Sequence, residues 1–211
     1  MLGAHLGQDA LEAGLGARVD VRHRRSDRGV VGGDLRVHLV RDRAVARVAL
    51  AAVARITWMA GLAALLDIPA VVVEEAPERN GATDPGILER LPPGTPVSTK
   101  PTFGLAAHEE AMGAIRATGR RTIVLVGFET DVCVTQSAVG LLELGFRAVV
   151  LEDATYTNGA LEHERGIARM TGAGVERNHC KGLTFEWLHT VDRALEDFPA
   201  AAALGTPPWR Y

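Results

Sequence analysis

Cysteine is scarce: 211 residues hold two, Cys133 and Cys180. They sit in unrelated contexts, with no CxxC and no Cys/His ligand spacing. That argues against a disulfide scaffold and a structural zinc site, and makes a reducing, cytoplasmic setting the expectation. Excess positive charge is missing too. The formal net charge of −3 leaves no basic field to hold nucleic acid or an anionic membrane. No apolar run reaches the length of a membrane span. The start, "MLGAHLGQDALEAGLGAR", has neither the basic opening nor the apolar stretch of a signal peptide. Residues 1–55 contain no Pro, Lys, Asn, Thr, Ile, Cys or aromatic residue, yet hold ten Arg. Within them "RVDVRHRRSDRGVVGGDLR" has no clean helical or strand period, and its charge suits a mobile segment. A shifted reading frame in GC-rich DNA would give the same restricted vocabulary; an intact frame in the sequenced locus would overturn that hypothesis.

What is present is regular. At 47% hydrophobic and 23% charged, the chain is an ordinary globular sequence, long enough to bury a core without staples. "RAVARVALAAVARITWMAGLAALL" (43–66) reads as an Ala-rich helix with Gly61 inside it, and "IPAVVVEE" (68–75) as a strand covered on both faces. Residues 76–96 are rich in breakers. Strands are expected at "PVST", 121–128 and 147–155, and helices at 106–119, 133–145, 160–174 and 182–198. Strands that alternate with helices and are apolar throughout indicate an α/β fold with a mostly parallel sheet. The division is an anomalous segment 1–42, a domain 43–198 and a tail 199–211, which is expected to dock on a neighbouring subunit.

In open parallel sheets, sites form beyond the carboxyl ends of the strands. Glu74 and Glu75 follow the first apolar strand, Lys100 follows the second, and Glu129, Thr130, Asp131 and Cys133 follow the third. Cys133 would open the helix "CVTQSAVGLLELG". A helix N-terminus and a nearby Lys100 ammonium would both lower a thiol pKa and favour the nucleophilic thiolate. Backbone N–H groups there can receive an oxyanion, and a carboxylate from another strand end can take the thiol proton. Against this stands the common buried structural cysteine.

"VSTKPTFG" followed by "GFETDVCVTQSAVGLLELGFRAVVLEDAT" resembles the isochorismatase-like cysteine hydrolases. That family has a lysine after one strand, then G-x-x-T-[DE]-x-C-V and a helix, then a strand ending in D-A. Here these are Lys100, Gly127, Thr130, Asp131, Cys133, Val134, Asp153 and Ala154. "HERGIARMTGAGV" and "LDIPAVVVEEAPERNGAT" extend the likeness over roughly residues 55–190. The resemblance implies a three-layer α/β/α, Rossmann-like fold and a Cys-Lys-Asp triad. In it the Asp is general base, the Lys orients and stabilises charge, and the Cys attacks a carbonyl carbon. It also implies an oxyanion hole from the backbone N–H groups of Glu129 and Cys133, and a cis peptide at Phe128–Glu129.

The family Asp closes the first strand, followed by Gln. No such string occurs here. Spacing back from Ile68-Pro69 makes Asp34 the nearest candidate, with Asp42 and Asp20 less well placed. Nicotinamidase-type relatives hold a metal through histidines between the Asp and Lys strands, whereas residues 43–99 contain no histidine. No metal and no cofactor are therefore expected. The resemblance thus implies a metal-independent hydrolase of a C–N amide or similar bond in a small-molecule substrate, working as a homo-oligomer. Two alternatives stay open: an impaired member that binds small molecules or serves assembly, and a thiol redox sensor. A carboxylate within hydrogen-bond reach of the Cys133 sulfur separates the hydrolase from the impaired binder.

Overall fold

The computed structural model of the chain describes residues 16–25, 31–40 and 43–209, excepting the side chains of 16–25, 31–46, 198–200 and 202. Strands β1 (Gly16–Arg25) and β2 (Val31–Val40) pair antiparallel, with Arg22 opposite Asp34. Helix α1 (Arg43–Leu65) follows, built largely from strong helix formers. It closes where Ile68 N–H donates to Ala63 O at 2.8 Å. Strand β3 (Val72–Glu75) starts four residues later than the apolar run predicts. Pro69 has no N–H to give a ladder, and the first bond is Val72 N–H to Pro96 O at 2.9 Å. β3 runs parallel to β4 (Val97–Lys100), and Glu75 lies directly opposite Lys100.

Between them the breaker-rich stretch holds two single turns, α2 (Pro77–Asn80) and α3 (Pro85–Leu88). Each opens on a proline, whose missing N–H costs nothing in the first turn of a helix. The helix expected over 106–119 is split. A 3₁₀ turn (Leu105–Ala107) comes first, and His108 caps α4 (Glu109–Ala117) by accepting from Ala111 N–H. β5 (Thr122–Phe128), β6 (Arg147–Tyr156) and β7 (Glu176–Asn178) form a parallel three-stranded sheet in that order. α5 (Thr135–Glu143) and α6 (Ala160–Gly172) are the crossovers. The helix expected over 182–198 is two helices, α7 (Cys180–Leu188) and α8 (Val191–Ala201). His189 takes a positive φ of 65° between them, and Thr190 Oγ1 accepts from Arg193 N–H to start α8.

The period of two along β5 and β6 makes the layers. Leu125 and Val150 face one way, into a cluster with Met112, Leu141, Ile167 and Met170 from α4, α5 and α6. Val124, Val126 and Leu151 face the other way, against Ile56, Trp58, Met59 and Leu62 of α1 and Leu183 of α7. Leu141, Val150 and Leu151 are fully buried, each contributing roughly 1.5–3 kcal/mol over an exposed side chain. Helices on both faces of a parallel sheet make the expected three-layer α/β/α fold.

Contrary to the expectation from apolar runs, Arg47–Leu65 of α1 is long and apolar enough to cross a membrane by length and composition. Its packing is that of a core helix. Trp58, Met59 and Leu62 are buried, and Arg55, which interrupts the apolar run, pairs with Asp153 of β6 at 3.1 Å. The tail, expected on a neighbouring subunit, packs on α1 of its own chain. Trp209 meets Trp58 edge-on with ring centroids 4.5 Å apart. Gly61 makes room, since a Cβ there would come within 2.7 Å of Leu204 Cδ2.

Candidate active site

The carboxyl ends of β3, β4 and β5 converge. Because Glu75 and Lys100 are opposite each other in a parallel pair, their side chains leave the same face. Lys100 is almost fully buried and its Nζ lies 3.9 Å from Glu75 Oε2. The ammonium also donates to Thr102 O at 2.5 Å and to Phe103 O at 2.7 Å, which ties down the loop after β4. Adjacent strand residues point to opposite faces, so Glu74 does a different job. Its buried Oε1 accepts from Thr83 N–H at 2.7 Å and anchors the turn after α2.

Cys133 comes from the far side of the site. Sequence reading places it at the start of an α-helix; it lies instead in a π-helical turn, Thr130–Val134, that runs into α5. The turn is closed by Val134 N–H donating to Glu129 O at 3.1 Å. The peptide before it, Phe128–Glu129, is cis, where the resemblance implies one. Cys133 Sγ donates to Glu75 Oε2 at 3.0 Å. The other carboxylate oxygen, Oε1, accepts from Asn80 Nδ2 at 3.4 Å, and the Glu75 carbonyl accepts from the same amide at 3.1 Å. Asn80 thus orients the carboxylate while Cys133 and Lys100 share its other oxygen.

The electrostatics reverse the expectation of a depressed thiol pKa. Burial pushes the Cys133 thiol up, and its hydrogen bond to Glu75 pushes it further, while Lys100 pulls it down and does not prevail. Burial and the bond to Glu75 thus both disfavour the thiolate. Glu129 adds a second acid at the site. Burial raises its carboxyl above the usual range, and the charges of Asp131 and Glu75 raise it further.

The turn is held from behind by α6. Thr130 Oγ1 lies 2.9 Å from His163 Nδ1. A Cβ on Gly166 would come within 2.8 Å of Asp131 Cα. Backbone cannot give way there as a side-chain tip can. Gly166→Ala is therefore expected to displace the turn, destabilise the fold by about 1–3 kcal/mol and slow any turnover. Thermal unfolding checks this, and an unchanged midpoint with unchanged turnover would contradict it.

Of the residues singled out in the sequence, Cys133 and Lys100 are brought together, both on Glu75. Asp34 lies on β2, and its side chain is outside the described residues. Glu129 immediately precedes the turn and Cys133 lies within it. Sequence reading noted Glu75 only as a strand-end residue, and did not find Asn80. His163, which the sequence did not single out, bonds to the turn that carries Cys133. Among the described residues, no group of three or more His, Cys, Asp or Glu could hold a metal ion.

The family model described as the Isochorismatase domain matches residues 37–177. Isochorismatase domain-containing protein 1 of Danio rerio is 31% identical over 114 residues, which are 54% of this chain and 39% of that protein. The chain spans between 32% and 62% of the length of the curated relatives it matches. YcaC from Pseudomonas aeruginosa, solved with hexane-2,5-diol and covalent acrylamide, superposes with a TM-score of 0.69 at 24% identity, over 74% of this chain and 78% of that one. The YcaC gene product of Escherichia coli, described as an octameric hydrolase of unknown specificity, superposes with a TM-score of 0.68 at 22% identity, over 73% of this chain and 76% of that one. At these identities the two structures speak for the fold.

Proposed function

This chain belongs to the isochorismatase-like hydrolase family, and from that premise we propose that it is a cysteine hydrolase cleaving a C–N amide or similar bond of a small molecule. The observation that carries the reading is the 3.0 Å contact from Cys133 Sγ to Glu75 Oε2. A thiol with no base beside it is a poor nucleophile at neutral pH; a thiol donating to a carboxylate is poised to lose its proton on attack. Glu75 takes the S–H proton as the sulfur bonds to the substrate carbonyl carbon. Backbone N–H groups of Glu129 and Cys133 receive the oxyanion. The C–N bond then breaks, and the departing nitrogen takes the proton back from Glu75. Water, activated by the same carboxylate, cleaves the thioester, releasing the acid and restoring the thiol. Lys100 stabilises the anionic partners through this cycle and holds the loop that carries Phe103.

This reading gives Glu75 the part that the resemblance gives to a first-strand Asp, for which Asp34 is the sequence candidate. The octameric state of the Escherichia coli protein supports self-association of this chain too. Exposed Val191 and Leu195, one turn apart on α8, are the apolar residues best placed for such contacts. Two free cysteines support a reducing, cytoplasmic setting.

A panel of small primary amides, followed by ammonia release and by intact-protein mass spectrometry, tests the reading. At least one amide is expected to give ammonia together with an acyl adduct on the wild type that is absent from Cys133→Ala. Ammonia release that persists in Cys133→Ala, or a panel with neither product nor adduct, would sink it.

A further inference from the structure

The two halves of the candidate site are carried by different sheets. Glu75 and Lys100 belong to the β3–β4 pair, and Cys133 follows the β5–β6–β7 sheet; no ladder joins the two among the described residues. The 3.0 Å contact between Cys133 and Glu75 is therefore only as good as the placement of the turn Thr130–Val134.

Three contacts tie that turn to the helices behind it, two of them to α6 directly and one to Thr135 of α5. Thr130, its first residue, is completely buried, and its hydroxyl meets His163 Nδ1 at 2.9 Å. The Thr130 carbonyl accepts from Thr135 Oγ1 at 2.7 Å, and the same hydroxyl lies 3.5 Å from Gly166 O. Gly166, three residues after His163 and so on the same face of α6, lets the Asp131 backbone sit against the helix. The glycine contact is a steric stop and the threonine bond is internal to the packing. The His163 bond is the only one of the three made by a titratable side chain reaching across from α6 to the turn.

We propose that His163 is a positioning residue: it holds Thr130 so that the π-helical turn presents the Cys133 sulfur to Glu75. The inference rests on the reading of Cys133 as nucleophile only for its catalytic consequence; its geometric content stands apart. Burial pushes the imidazole below its ordinary range, outweighing the pull of Glu152 on β6 and Asp131 on the turn. A neutral ring serves Thr130 in either tautomer, accepting from the hydroxyl or donating to it.

The test is the pH dependence of iodoacetamide alkylation at Cys133, which needs no substrate. Once the turn is loosened, the thiol leaves Glu75 and loses the influences that raise its pKa. His163→Ala is expected to alkylate several-fold faster than the wild type at neutral pH. His163→Asn, whose amide overlays the Nδ1 position, is expected to restore the wild-type curve. Thr130→Val, which keeps shape and removes the hydroxyl, should reproduce His163→Ala and serves if that variant folds poorly. In a Glu75→Gln background, His163→Ala should add little, because the contact it protects is already changed. An unchanged alkylation curve in both His163→Ala and Thr130→Val would overturn the proposal, and so would equal shifts in His163→Ala and His163→Asn. Ammonia release that survives Cys133→Ala while the alkylation shifts hold would instead overturn the hydrolase reading and leave this one standing.

Discussion

Glu75→Gln is expected to lower kcat for any amide the wild type hydrolyses by about two to four orders of magnitude, the range that a positioned general base contributes. Glutamine keeps the length and an oxygen for the Cys133 hydrogen bond, so the thiol stays in place. It cannot take the proton as sulfur bonds to carbon, nor return it to the leaving nitrogen. In the proposed mechanism both steps run through Oε2, the atom that Cys133 and Lys100 share. Steady-state rates of ammonia release with Asp34→Asn alongside decide the assignment. A crippled Glu75→Gln beside an active Asp34→Asn supports Glu75 as base. The reverse ranking would return the role to the first-strand candidate.

In Glu75→Gln, alkylation and turnover should move in opposite directions. Only the thiolate alkylates, and Cys133 is pushed above the ordinary thiol range by burial first, then by its bond to Glu75 and by the Glu75 charge. The wild-type rate with iodoacetamide is therefore expected to be below that of a free thiol at pH 7. It should keep rising well past the free-cysteine midpoint of about 8.5. Glu75→Gln removes a negative charge from beside the sulfur, so its curve moves to lower pH and alkylation at pH 7 speeds up while turnover collapses. Lys100→Met removes the cation that favours the thiolate, so its curve moves to higher pH and both rates fall. It also leaves the carbonyls of Thr102 and Phe103 without a donor. That loss costs about 1–3 kcal/mol where such groups are buried. A Glu75→Gln curve that coincides with the wild type would mean that the carboxylate does not govern the thiol, and the base assignment would fail with it.

The layers and most of the elements were legible because they depend on local pattern. Continuous β-branched runs gave the strands, and Gly119 ended a helix where the sequence placed it, at a φ of 67°. Cys133 and Lys100 were legible because strand ends in a parallel sheet are where chemistry collects, and because the surrounding residues resemble a known motif. Glu75 was visible but not separable from Glu74. Which of two neighbouring carboxylates faces the site depends on the register of β3 against β4, and register is a tertiary fact. Asn80 lay hidden in a stretch read as irregular, since its role depends on a single turn bending back onto Glu75. The sign of the thiol shift was misread for a similar reason. A helix terminus is a local feature that sequence displays, whereas burial and a carboxylate 58 positions away belong to the folded chain. His163 and Thr130, 33 positions apart, met only in three dimensions.

The division of the strands into a β3–β4 pair and a β5–β6–β7 sheet has a mechanical consequence. Within either unit, moving one strand against its neighbour breaks backbone hydrogen bonds. Between the units, among the described residues, the resistance comes from side chains, including a thiol–carboxylate contact and the packing of Val71 against the Leu125 cluster. Cys133 and Glu75 thus sit on either side of a line that, among the described residues, no backbone ladder crosses. A small molecule bonded to Cys133 on one side and held by Lys100 on the other would act as a rivet across it.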